Sequence, residues 1–176
     1  MKLIVSSILA IAILSVFSFK KNVAPSASSD QVTFTMDDKS ASGSFANPKG
    51  KVKFNASDLS ETSIDICIKA KTISSGDAER DKHLKNADFF EVDKYPEITF
   101  KSTSAKKKTD GGYIIKGDFT MKDVTKKIEI PVTIVEEDGK KYLKGSLSMN
   151  RIDYNIGSAD DGVGTSLTAN LKYPIK

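Results

Sequence analysis

The chain has 176 residues, 39% of them hydrophobic and 28% charged, with a formal charge of +4. That supports one domain with an ordinary core and excludes a disordered, collagenous or multi-span membrane protein. One cysteine (Cys67), one histidine (His83) and no tryptophan exclude an intrachain disulfide, any multi-His or multi-Cys metal site, and histidine-dependent catalysis that does not use His83.

The chain opens with Met1-Lys2 and an apolar run from Leu3 to Phe19. This reads as a secretory signal peptide over residues 1–18, cleaved after Ser18 with Val16 and Ser18 as the small residues. An uncleaved membrane anchor is the alternative, but the run is just short of a comfortable span. The run holds no cysteine for lipid attachment. Residues 19–30, rich in Ser, Ala and Pro after Lys20-Lys21, read as a flexible leader.

From Val32 the pattern is period two. Val32, Phe34 and Met36 alternate with threonines, and Val52 and Phe54 with lysines. Ile64, Ile66, Ile68 and Ala70 form the next apolar face, with Asp65, Cys67 and Lys69 on the other. Ile98 and Phe100 follow, then Tyr113–Met121, Ile128–Ile134, Leu143–Met149 and Leu167–Tyr173. These are about eight strands with one apolar face each. Asp110-Gly111-Gly112 and Glu137-Asp138-Gly139-Lys140 read as hairpin turns, and Asp161-Gly162-Val163-Gly164 punctuates before the last strand. The prediction is an all-β, antiparallel meander over residues 31–176. Eight amphipathic strands close into a barrel, which removes unpaired edges, and such a barrel either fills with side chains or holds one ligand. One stretch breaks the alternation. Ser74 to Glu91, with Leu84, Ala87 and Phe90 at helical or turn spacing, predicts a short helical excursion and a turn near Asn86-Ala87-Asp88.

That excursion carries a resemblance. The run Glu79-Arg80-Asp81-Lys82-His83-Leu84-Lys85-Asn86-Ala87-Asp88-Phe89-Phe90-Glu91-Val92, continued by Tyr95-Pro96-Glu97-Ile98-Thr99-Phe100, resembles the signature of the YceI-like proteins. Gly117 to Lys126, Gly43-Ser44-Phe45 and Gly50 to Phe54 fit as well. The match covers Val32 to Lys172. The chain departs from the family in lacking its leading strand, and in placing Asp123 where a glycine is usual. The resemblance implies a lipocalin-like barrel whose apolar interior holds a polyisoprenoid, a prenyl quinone or another long lipid. It also implies export to the periplasm or beyond, and leaves a homodimer open.

A carrier of apolar chains needs few polar groups. Burying a methylene contributes about 0.8 kcal/mol, so a five-carbon prenyl unit contributes roughly 3–4 kcal/mol before ordering costs. The candidate lining is Phe34, Phe54, Ile66, Ile68, Phe100, Ile115, Phe119, Ile130, Val132, Leu147 and Leu171. Pattern alone favours a solid core, and the resemblance reverses that in favour of a cavity. Gly117, Gly145 and Ala169 on the same faces leave room inside. Arg80, Asp81 and His83 are either a head-group site at the mouth or a clamp pinning the excursion to the barrel.

No catalytic residues, metal or cofactor are expected. Asp77, Glu79, Asp81 and His83 lack an EF-hand glycine and a second imidazole. Cys67 falls on the outer face of its strand. Lys106–Lys108, Lys126-Lys127 and Lys140-Lys141 read as solvated rims, with transient contact with an anionic membrane as the alternative. Nucleic acid is not an expected partner, because the aromatics point inward rather than interleaving with the lysines. The alternatives to a lipid carrier are a ligand-free structural or stress-response interaction module, and an enzyme acting on a lipid-like substrate.

Overall fold

The computed structural model describes residues 31–175. The signal segment (1–18) and the leader (19–30) lie outside the described residues. Ten strands and one α-helix follow in chain order: β1 (Gln31–Met36), β2 (Ser42–Ala46), β3 (Lys49–Lys53), β4 (Ser63–Lys69), β5 (Ile73–Ser74), α1 (Ala78–Leu84), β6 (Glu97–Lys107), β7 (Tyr113–Met121), β8 (Val124–Glu137), β9 (Lys140–Asn150) and β10 (Ser166–Ile175). They form one antiparallel sheet in the order β3-β4-β6-β7-β8-β9-β10-β1-β2-β5.

The sheet closes on itself because two long runs are each broken in the middle. Asn47, at φ 52°, and Pro48 interrupt β2–β3. A 3-10 turn over Ala70–Thr72 interrupts β4–β5. The β2 half pairs with β1 and β5, and the β3 half pairs with β4. The Thr72 hydroxyl accepts from the Ala46 N–H (3.2 Å) and donates to the Lys69 carbonyl (2.7 Å), stitching the two breaks together. Joined this way, the ten strands make eight runs around the barrel, as the alternation predicts. The first half of the second run has only Phe45 as a large apolar residue, so alternation reveals only its later part.

Period-two side chains then point either into the barrel or out to water. The inward set forms two buried clusters. One, around Val32, Phe45, Ile73, Ile98, Met121 and Tyr154, lies at the end that carries α1. The other, around Ile64, Ile66, Phe100, Ile115, Val132 and Leu143, lies toward the opposite end. The helix falls inside the predicted excursion. Asp77 caps it by accepting from the Arg80 N–H at 2.9 Å, and turns over Asn86–Phe90 follow.

Three loops are tied together at the α1 end. The segment after α1 joins the β9–β10 loop through Gly157 N–H to the Asp88 carbonyl (2.9 Å), and through Lys122 Nζ, which donates to the carbonyls of Phe89 and Asn155 (both 2.8 Å). The β1–β2 turn joins the same loop where Gly164 N–H donates to Ser40 Oγ at 3.1 Å. Arg151 holds that loop in shape. It is 5% exposed, and its guanidinium donates to the carbonyls of Ile156, Ser158, Val163 and Gly164 and to Asp161 at 2.6 Å. Burial alone would raise the Asp161 pKa, but bonds from Arg151 and from the Val163 and Ser158 N–H groups outweigh it and hold the carboxyl below its ordinary value.

Arg151→Met is expected to cost about 2–4 kcal/mol, because it leaves four loop carbonyls without their donor and takes the guanidinium from Asp161, which keeps only the Ser158 and Val163 N–H groups. Urea unfolding at neutral pH measures this, and a loss under about 1 kcal/mol contradicts the lock. A carboxyl whose folded pKa is depressed stabilises above its unfolded pKa and loses that contribution as pH falls through the folded value. Part of the wild-type loss of stability below about pH 4 is therefore expected to vanish in Arg151→Met. An unchanged acid slope contradicts the Asp161 assignment.

Candidate functional site: an apolar cavity along the barrel axis

Between the two clusters runs a cavity of about 760 Å³. That is within the roughly 300–1,000 Å³ typical of small-molecule sites. Its walls are mostly aliphatic and aromatic. Phe34, Ile130, Leu147 and Ala169 point inward yet are only half-buried, because they face this space rather than one another.

Ten of the eleven predicted lining residues border the cavity: Phe34, Ile66, Ile68, Phe100, Ile115, Phe119, Ile130, Val132, Leu147 and Leu171. Phe54 does not. The chain leaves β3 at Lys53, so the alternation ends one residue short of it, and its ring packs edge-on to Tyr113 at 4.8 Å. Gly117 also differs from expectation. The space above it is taken by the Phe100 ring, which a Cβ there would approach to 2.7 Å. Gly145 and Ala169 do open onto the cavity. A Cβ on Gly145 would meet the Ile130 and Val132 methyls at 3.3 and 3.4 Å, so the bare backbone widens the lumen there.

The polar groups gather at the α1 end. Arg80, His83, Ser75, Ser40, Asp88, Ser158 and Asp161 line the mouth. His83 Nε2 lies 2.5 Å from Asp88 Oδ2, and its ring packs edge-on to Phe89 at 5.0 Å between centroids. Asp81, placed with them from sequence, is not among the lining residues. It turns back to accept from the Ser75 N–H (2.6 Å) and hydroxyl (2.7 Å). Burial pushes its pKa up, but the Ser75 bonds prevail and leave it lowered. The predicted trio therefore splits. Asp81 fastens the entry to α1. His83 fastens its exit while also lining the mouth. Arg80 reaches the mouth, and among the described residues it makes no ion pair.

Several lining residues were absent from the predicted set. Met36, Met121, Leu143, Met149 and Leu167 lie on the same alternating faces, and period two alone could have found them. Leu84, Phe89 and Phe90 come from the excursion, where no strand period applies. Arg151 had no signal, because a buried arginine depends on the loop that folds around it. Cys67 lies off the cavity on β4, half-buried, and burial and the nearby Glu97 carboxylate push its thiol pKa up. That disfavours the reactive thiolate.

The fold and its cavity have relatives. A family model described as a YceI-like domain matches residues 22–174. A UPF0312 protein of Ectopseudomonas mendocina is 35% identical over 120 residues, covering 65% of this chain and 63% of that one. A UPF0312 protein of Photorhabdus laumondii is 35% identical over 95 residues, covering 54% of this chain and 49% of that one. The chain thus spans about half to three fifths of the length of these curated relatives. Burkholderia cenocepacia BcnA is similar in structure, with a TM-score of 0.77 at 20% identity over 84% of this chain and 96% of that one. A polyisoprenoid binding domain from Saccharophagus degradans, implicated in plant cell wall breakdown, gives a TM-score of 0.57 at 11% identity over 83% of this chain and 92% of that one. At these identities the structural likeness speaks to fold alone, and the fold is the lipocalin-like antiparallel barrel expected from sequence. The family match runs through every strand of the barrel, and the chain belongs to the YceI-like domain family.

Proposed function

We propose that this protein is an exported, non-enzymatic carrier that encloses a long apolar lipid of the polyisoprenoid type, for transport, storage or sequestration. The observation that carries the reading is the apolar cavity of about 760 Å³, open to polar groups at one end. An interior of aliphatic and phenylalanine side chains binds through removal of methyl and methylene surface from water. At about 0.8 kcal/mol per methylene, a few prenyl units supply micromolar affinity after ordering costs. The polyisoprenoid binding domain of Saccharophagus degradans, which shares the fold, supports the choice of lipid class. The apolar segment before Lys20 supports export to the periplasm or beyond.

The mouth is built for holding rather than for turnover. His83 is engaged by Asp88, and Asp81 by Ser75. Arg80 is the mouth cation left to meet a polar or anionic head group.

Protein purified from its native host is expected to carry a hydrophobic molecule at near-stoichiometric level, detected by native mass spectrometry. Empty protein, with nothing in organic extracts, contradicts tight carriage and favours a ligand-free interaction module. His83→Ala is expected to keep the lipid, because its partner Asp88 is half-exposed and stays solvated when the imidazole is removed; loss of all bound lipid contradicts a clamp role. Ile115→Asp is expected to release the lipid and lower the melting temperature. It places an unpaired charge between Ala105 and Ile130, at a fully buried position on the lumen wall, at a cost of several kcal/mol. Unchanged melting and lipid retention contradict the inward register of β7.

A further inference from the structure

We propose that Ile64, Phe100, Ile115, Val132, Leu143 and Leu171 form the floor of a blind tunnel, and that this floor sets the longest apolar chain the barrel can enclose. The inference rests on the carrier reading above and specifies which chains it favours.

On six strands the lining stops at one of these residues. The next inward side chains along β7, β8 and β10 are Tyr113, Ile134 and Tyr173, which pack under the floor and do not border the cavity. That plug is pinned. Tyr113 packs against Phe54, and the Tyr173 hydroxyl donates to the Gly50 carbonyl at 3.1 Å. In the floor itself Ile115 is 0% exposed and Leu143 is 2% exposed, so there is no exit at this end. Apart from Asn170, which alternates outward between Ala169 and Leu171, the polar lining lies at the other end. An occupant therefore enters tail first and leaves its head among Arg80, His83 and the serines of the mouth.

The volume then bounds the tail. A cavity of about 760 Å³ closed at its far end encloses a fixed number of prenyl units and no more. Units beyond that stay at the mouth and gain no further burial. Affinity should rise steeply with length, by up to roughly fourfold per methylene before ordering costs, and then level off.

The test titrates delipidated full-length protein with prenyl alcohols of increasing length and reads the bound fraction by native mass spectrometry. The expected result is a steep rise that levels off at a defined chain length. The double variant Ile115→Ala/Leu143→Ala removes floor volume and is expected to move the break to chains about one unit longer. If that variant does not fold, Ala169→Phe adds a ring to the lumen without cutting into the packed floor, and is expected to move the break to shorter chains. Affinity that keeps climbing through the longest alcohol, or a break that neither variant moves, overturns the floor while leaving the carrier reading intact. Binding at no length overturns both.

Discussion

Every feature of this molecule depends on a sheet that closes on itself. Once β1 pairs with both β10 and β2, and the broken runs β2–β3 and β4–β5 pair with each other, each alternating side chain has only two environments. Outward positions meet water and carry lysines, acids and threonines. Inward positions meet the inner faces of the other strands across the axis. The ring is wider than the chosen side chains can fill at its centre, where Gly145 and Ala169 contribute almost nothing. An apolar space follows from closure and side-chain size together, with no dedicated binding residue. Toward the far end larger side chains do meet, and the lumen ends on Ile115, Val132 and Leu171, with Tyr113, Ile134 and Tyr173 packed beneath them.

The open end needs different physics, since loops cannot be held by alternation. Here charge and backbone polarity do the holding. Arg151 satisfies four carbonyls and Asp161 with one guanidinium, a rigid fork suited to gathering a loop around itself. Lys122, at φ 52° in the turn after β7, ties that loop to the segment behind α1. The hydrophobic residues of that segment, Phe89 and Phe90, are thereby presented to the lumen. The mouth thus combines an apolar inner lip with a polar outer rim.

What could be read from the sequence follows the same division. Residues whose role is fixed by strand period were legible: Ile66, Ile115, Phe119, Val132 and Leu147 border the lumen as their alternation requires. Phe54 was misplaced because period two carries no mark of where a strand ends. Gly117 was misread for a related reason, since the room it leaves is claimed by Phe100 from the neighbouring strand. Asp81 could not be separated from Arg80 and His83, because the direction a helical side chain takes depends on a partner, here Ser75, that sequence spacing does not reveal. A solid core and a hollow one were indistinguishable, because the strands alternate identically in both. Only the width of the closed ring and the sum of inward volumes decide between them.

That distinction is also the place to test the account. The most direct measurement is a crystal structure of the protein purified from its native host with no lipid added. The account predicts elongated density along the axis, from the mouth near Arg80 and His83 down to Leu143 and Ile115. Inward side chains that meet across the axis, with no space and no density between them, would contradict it.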